Sequence, residues 1–195
     1  YGLASFEGAL WTGDRARDLL YSTSDMDELN RIPLSQSAAP LDFGFPFCIG
    51  AQQPDQPGAA CAETEPPYLR LPTHSAPMGL AAYTSDAIPE LTGKLLIVLG
   101  GTEQQLELRG YALAAFDALS SELEILIPAN PALNDPRFMF TMDEINYRGA
   151  GFFPHRPIDV AVSQQGVVYI SGGGRIISLR PYVASARASA PQGEG

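Results

Sequence analysis

The sequence predicts an all-β protein, and three observations support this prediction. Helical periodicity is scarce along the 195 residues. Short β-rich runs bounded by Gly, Pro, Asn and Asp dominate instead. Residues 158–179 read as three successive strands joined by tight turns at residues 164–166 and 172–174. Tight sequential hairpins are typical of propeller blades, whereas a carbohydrate-binding β-sandwich would use Greek-key crossovers.

The remaining elements follow from the same patterns. Residues 25–30 read as a short helix, and residues 128–153 read as a long insertion. In the last three strands we expect core contacts from Val160, Val162, Val168, Ile170, Ile176 and Leu179, and the alternation in residues 166–171 places Val168 and Ile170 on one face. The predicted strands are residues 8–12, 79–84, 94–99, 110–116, 158–162, 166–171 and 175–179.

Composition excludes some partners. The chain carries 12 basic and 22 acidic residues, a formal net charge of -10. Such a charge repels phosphates, so we expect no nucleic-acid partner, while a divalent cation is attracted. The longest apolar run, residues 95–99, is far shorter than the roughly 20 residues of a membrane-spanning helix, so no span is predicted.

The two cysteines, Cys48 and Cys61, bracket a loop rich in Gly, Pro and Gln. This spacing, with no His or further Cys nearby, favours a disulfide formed in an oxidising compartment. Two unrelated buried thiols are the alternative.

Three segments together resemble a known family. They are Phe43-Gly-Phe-Pro-Phe-Cys48, Leu71-Pro-Thr-His-Ser-Ala-Pro-Met-Gly-Leu80 and His155-Arg-Pro-Ile-Asp-Val-Ala-Val162. In this order they resemble the carboxyl-terminal half of the glucose/sorbosone dehydrogenase family, β-propellers that oxidise sugars with pyrroloquinoline quinone (PQQ) and calcium. The resemblance implies a partial β-propeller over residues 1–183, with about four blades of a six-bladed-type ring and long loops. It also supports the disulfide. Residues 184–195 are expected to form a disordered tail.

The resemblance implies several site residues. Ala16 and Arg17 would supply backbone carbonyls to calcium; the alternative is a solvated turn in which Asp14 pairs with Arg15 or Arg17. Arg156 and Arg109 would hold the anionic cofactor, although Arg109 also fits an ordinary surface charge. His74 is a candidate proton acceptor or cofactor contact, and a hydrogen-bonded structural histidine is the alternative. The segment Asp27-Glu-Leu-Asn30 is assigned a structural role, fixing a blade turn by hydrogen bonds.

The sequence also departs from the family pattern. Ala4 and Ser5 stand where the family has Arg-Asn, and Gly100-Gly-Thr-Glu-Gln-Gln105 replaces His-Gly-Ser-Trp-Asn-Arg. The blade carrying the family's catalytic histidine would lie upstream of Tyr1. Two functions therefore stay open: a periplasmic or secreted sugar oxidoreductase, or its carboxyl-terminal part, and a catalytically degenerate propeller module that acts as a binding or structural subunit. Because the chain begins at Tyr1 and has too few strands for a ring, we expect a processed chain or part of a longer one. Further blades or a partner chain would complete it.

Overall fold

The computed structural model describes residues 2–16, 26–35, 40–49, 52–55, 57–101, 107–108, 110–127, 140–141 and 156–181. In these residues the regular elements are β-strands and two single 3-10 turns. The strands are β1 (Leu3–Phe6), β2 (Ala9–Asp14), β3 (Asp27–Pro33), β4 (Cys48–Ile49), β5 (Gln53–Pro54), β6 (Leu69–Leu71), β7 (Pro77–Tyr83), β8 (Lys94–Leu99), β9 (Glu107–Leu108), β10 (Ala112–Asp117), β11 (Glu122–Ile127), β12 (Phe140–Thr141), β13 (Pro157–Val162), β14 (Val168–Gly172) and β15 (Arg175–Leu179).

The first sheet is antiparallel and has the order β1-β2-β3-β6. Its first hairpin turns at Glu7 and Gly8, whose φ angles of 48° and 68° suit a two-residue type I′ turn. Trp11 on β2 is fully buried, and its indole N–H donates to the carbonyl oxygen of Phe6 at 3.0 Å. Turn chemistry and one large buried side chain therefore fix this hairpin.

The prediction of a short helix at residues 25–30 is wrong, because β3 begins at Asp27. This strand pairs with β2 on one side and with β6 on the other. Its central Leu29 is fully buried against the second sheet. The pairing partner in β6 lies far along the chain, so the local pattern of residues 25–30 could not indicate it.

The second sheet is an antiparallel meander of β7, β8, β10 and β11 in chain order. In β8 the five residues from Leu95 to Leu99 are all buried. Successive side chains of a strand point to opposite faces, so a continuous buried run requires that both faces of the sheet be covered. The edge strand β11 is absent from the predicted strands, since the charged Glu122 and Glu124 interrupt its apolar pattern.

The third sheet is the predicted terminal meander of β13, β14 and β15. Three of its predicted core residues, Val160, Val168 and Ile170, are buried as expected. Val162 and Leu179 are partly buried and pack against the same core. The prediction for Ile176 is wrong: this side chain is 74% exposed. Ile177 pairs with the buried Ile170 and packs against the core instead, so the apolar dipeptide was assigned to the wrong face by one residue.

The three sheets stack face to face. One core cluster lies between the first and second sheets and contains Trp11, Ile97 and Phe116. Another lies between the second and third sheets and contains Val98, Val168 and Ile170. Stacked antiparallel meanders are the architecture of a propeller, so the predicted all-β partial propeller is confirmed. The described residues form three such blades, and the count of about four for the whole chain stays a prediction.

The predicted disulfide between Cys48 and Cys61 is present. It closes the connection between β3 and β6, which also holds the small β4–β5 hairpin. No helix in the described ranges is long and apolar enough to cross a membrane. The predicted tail, residues 184–195, lies outside the described residues, so the boundary at residue 183 stays a prediction.

Candidate functional site

One end of the blades brings together residues from all three sheets. Hydrogen bonds link the segment after β2, the connection between β6 and β7, the segment after β8 and the residue before β13. We call this set the inter-blade network. Its members are Ala16, Asp27, Ser75, Ala76, Gly100, Gly101 and Arg156.

Asp27 is the centre of the network. Its side chain is fully buried, and one carboxylate oxygen accepts the N–H of Ala16 (N···Oδ1 2.8 Å). The other oxygen accepts the hydroxyl of Ser75 (Oγ···Oδ2 3.1 Å) and the N–H of Ala76 (N···Oδ2 2.6 Å). A single carboxylate at the start of β3 thus ties the segment after β2 to the connection between the first two blades.

Burial raises the pKa of the Asp27 carboxyl above its ordinary value, because a low-dielectric environment penalises the charged form. The hydrogen bonds from Ala76, Ala16 and Ser75 lower this pKa, and so does the charge of His74. Each of these groups favours the carboxylate over the neutral acid. Removing any of them would therefore shift the balance further toward protonation.

The connection between β6 and β7 is buried throughout and holds an unusual backbone. His74 and Ala76 have φ angles of 64° and 49°, in the left-handed region that non-glycine residues rarely adopt. Prolines flank the connection at Pro72 and Pro77, and the N–H of Ser75 donates to the carbonyl of Pro72 at 3.1 Å. His74 itself is 6% exposed, and it directly precedes Ser75, whose hydroxyl donates to the carboxylate of Asp27.

Two glycines carry the network from the second blade to the third. The N–H groups of Gly100 and Gly101 donate to the carbonyls of Ala76 and Ser75, each at 2.7 Å. The guanidinium of Arg156 donates to the carbonyls of the same glycines, at 3.0 Å from Nε and 2.8 Å from Nη2. Gly110 packs closely against the backbone of Gly101, since a Cβ at position 110 would lie 2.5 Å from the nitrogen of Gly101.

The structure brings together three of the predicted site residues. Ala16 and Arg156 belong to the network, and His74 lies next to Asp27. Arg17 and Arg109 lie outside the described residues. Whether any of these residues binds a cofactor or calcium stays a prediction.

Sequence reasoning missed the main feature of this end. Asp27 was assigned to a structural hydrogen-bonding motif, but its partners in residues 75 and 76 were not foreseen. The available signal was an acidic residue two positions before the buried Leu29, which places its side chain on the covered face of the strand. Ala4 packs against the hydrophobic core between the first two blades.

The opposite face of β3 carries a second polar group. The buried amide of Asn30 donates to Asp14 (Nδ2···Oδ2 3.2 Å) and to Glu28 (Nδ2···Oε2 3.2 Å). Its Oδ1 atom is buried and has no hydrogen-bond partner among the described residues. Within the described ranges no three His, Cys, Asp or Glu side chains converge in a way that could hold a metal ion.

Comparison with solved structures identifies the fold. The chain superposes on a carbohydrate-active enzyme of family AA12 from Trichoderma reesei with a TM-score of 0.64 at 17% identity, covering 93% of this chain and 52% of that one. The PQQ domain of a pyranose dehydrogenase from Coprinopsis cinerea gives 0.58 at 18% identity, covering 92% and 53%. A soluble aldose sugar dehydrogenase from Escherichia coli gives 0.50 at 19% identity, covering 87% and 40%. The chain has the fold of these proteins.

This likeness confirms, at the level of the fold, the resemblance predicted from sequence. The chain spans about half the length of the solved structures it matches. No protein-family model matches the sequence, and a search of curated proteins finds no significant match.

Proposed function

We propose that this chain is the carboxyl-terminal part of a PQQ- and calcium-dependent dehydrogenase of aldose-type sugars. The observation that supports this function is the inter-blade network, which holds Ala16 and Arg156 at one end of the blades and lies beside His74. The fold is shared with the PQQ domain of a pyranose dehydrogenase and with an aldose sugar dehydrogenase.

The residues present fit the two groups by their donor chemistry. Calcium prefers hard oxygen ligands, and backbone carbonyls at Ala16 and Arg17 would supply them without a cluster of carboxylates. Arg156 uses two of its five N–H donors in hydrogen bonds to the carbonyls of Gly100 and Gly101. The other N–H groups could donate to a carboxylate of PQQ. Arg109 is the second proposed cation. When bound, PQQ would accept the hydride removed from the sugar, and calcium would polarise its carbonyl group.

His74 is the candidate for contact with the cofactor or for accepting a proton. It is 6% exposed and sits in a connection that the network holds rigidly. A buried imidazole is shielded from bulk water, which suits a group whose proton must pass to or from a bound ligand.

A catalytically degenerate propeller module is the second candidate function, and two observations favour it. Ala4 packs in the core at the position aligned with an arginine of the family. Asp27 accepts its observed hydrogen bonds from Ala16, Ser75 and Ala76, as a purely structural carboxylate would. In this case the chain would serve binding or assembly.

Completion by further blades is part of both proposals. On the third sheet, Tyr169 and Ile176 are 38% and 74% exposed and lie on the face turned away from the second sheet, opposite to the face of Ile170 and Ile177. Another blade, from the same polypeptide or a partner chain, would cover them. The disulfide favours folding in an oxidising compartment, and we place the protein in the periplasm or outside the cell.

Spectroscopic titration of the purified chain with PQQ tests the proposal. We expect a calcium-dependent change in the PQQ absorption spectrum that chelation reverses, with weak or absent turnover of aldoses by this chain alone. Arg156→Gln should weaken this binding, and Arg180→Gln, at an exposed arginine after β15, should leave it unchanged. A spectrum that does not respond to the chain would reject the dehydrogenase and leave the degenerate module.

A further inference from the structure

Asp27 combines complete burial with contacts to two segments that are distant in sequence. Ala16 precedes it by 11 residues, and Ser75 and Ala76 follow it by 48 and 49. No local turn could impose this arrangement. Burying a carboxylate costs desolvation free energy. A carboxylate buried with these partners therefore either serves only the fold or also positions both segments for binding.

The second segment needs such a constraint. His74 and Ala76 have left-handed backbone, which is strained for residues other than glycine and persists only where the surrounding structure holds it in place. Asp27 accepts from Ser75 and Ala76, and the N–H groups of Gly101 and Gly100 donate to the carbonyls of the same two residues. Residues 75 and 76 are thus held from both sides, and His74 is held with them.

The first segment has its own reason to be held. A backbone carbonyl can ligate a cation only if its peptide plane points steadily at one position. The N–H of Ala16 donates to Asp27 at 2.8 Å, so this bond fixes the chain immediately before the carbonyls proposed for calcium. One carboxylate therefore holds the segment that would bind the metal and the connection that presents His74.

We propose that Asp27 is a positioning residue of the candidate site, which sets the segment at Ala16 and the segment at residues 74–76 in register with each other. This inference rests on the proposed function for its ligand and on the hydrogen bonds for its geometry. Asp27 would act through these two segments rather than by its own contact with the cofactor or the metal.

The test compares Asp27→Asn with Asp117→Asn in the full chain. Asp117 is the matched control, because its carboxylate also accepts backbone N–H groups, from Leu119 (2.8 Å) and Ser120 (3.3 Å), in the exposed turn between β10 and β11. Hydrogen exchange of the amides at Ala16 and Ala76 reports the coupling directly. Titration with calcium chloride and PQQ reports its consequence, and far-UV circular dichroism reports folding.

With Asp27→Asn we expect faster exchange at both amides and about tenfold weaker calcium-dependent PQQ binding, since one or more charge-assisted hydrogen bonds are lost. Asp117→Asn should change neither. Ser75→Ala, which removes only the hydroxyl donor, should give a smaller change in the same direction and replaces Asp27→Asn if that variant does not fold. Unchanged PQQ affinity in a folded Asp27→Asn protein, or faster exchange at one amide alone, would overturn the inference.

The two proposals fail separately. If the wild-type chain does not bind PQQ, the proposed function is rejected whatever Asp27 does. Exchange then decides the coupling: faster exchange at both Ala16 and Ala76 in Asp27→Asn retains the positioning role for another ligand of this end, and unchanged exchange removes it.

Discussion

The second and third sheets use similar hydrophobic residues but differ in how many of their faces are covered. In β8 every residue from Leu95 to Leu99 is buried, because the first sheet covers one face and the third sheet covers the other. In β14 the buried residues Val168 and Ile170 flank the exposed Tyr169, and in β15 the partly buried Ile177 and Leu179 alternate with exposed residues, since only one face is covered. Apolar runs in this chain therefore show which sheets are sandwiched, and alternation shows which are terminal.

The outer face of the third sheet carries two large apolar side chains. Tyr169 and Ile176 occupy the uncovered face of the third sheet, where polar residues would be expected. Chance surface hydrophobics are common on proteins. Two on the face where a propeller would stack its next blade support the proposal that another blade covers this face.

The sharpest way to break this comparison is one substitution made in both sheets. Ile97→Ala removes a fully buried side chain and should lower the free energy of unfolding by about 2–5 kcal/mol. Ile176→Ala should change it by less than about 0.5 kcal/mol, because this side chain is 74% exposed. Urea unfolding of both variants measures the difference, and similar losses would show that the two faces are equally covered in solution.

Glycines offer a second matched pair. Gly110 (φ 95°) and Gly174 (φ 73°) are both left-handed, so alanine at either position costs about 1–2 kcal/mol in backbone strain. Only at Gly110 would the new Cβ meet other atoms, 2.5 Å from the nitrogen of Gly101 and 2.8 Å from the carbonyl of Ser75, while Gly174 has open space. Gly110→Ala should therefore destabilise the protein by about 1–3 kcal/mol more than Gly174→Ala. Equal thermal shifts would show that the connection at Ser75 can move aside.

The same contrast explains how much the sequence predicted. Strands with strong apolar patterns, such as β8 and β14, were located within two residues, since their burial is recorded in their own side chains. The strand β3 was predicted as a helix, because its fold depends on pairing with the distant β6. Ile176 was predicted in the core, but Ile177 packs there instead. Two adjacent isoleucines give no alternation of apolar and polar residues that would show which one faces the core.

The candidate site was predictable only in part. Ala16, His74 and Arg156 came from resemblance, and the structure brings them to one end of the blades. Asp27 was not identified, because its role arises from hydrogen bonds to residues 48 and 49 positions away. Tertiary hydrogen bonds to backbone N–H groups leave no mark on the sequence of the donor segment.

Association in solution sharpens the comparison further. If the outer face of the third sheet is a covered face, the isolated chain should self-associate with increasing concentration. Ile176→Lys should shift sedimentation-velocity profiles toward the monomer. Leu119→Lys adds the same charge at a side chain that is 89% exposed in the turn between β10 and β11, and it should not. An equal effect of both substitutions would assign the association to net charge rather than to this face.

The smallest expected effect is a pH dependence that originates at Asp27. Its pKa in the folded protein is raised by burial above the ordinary value of 3.8, so the folded state binds this proton more tightly than the unfolded state does. The stability that Asp27 contributes is therefore fully present below pH 3.8 and is lost as pH rises through the folded pKa. Urea unfolding at a series of pH values should show the free energy of unfolding of wild type improving relative to Asp27→Asn as pH falls. His74→Gln should widen this pH window, because the charge of His74 lowers the pKa of Asp27. A wild-type advantage that grows as pH rises would mean that the hydrogen bonds and His74 outweigh burial, and that Asp27 is held as a stabilised carboxylate.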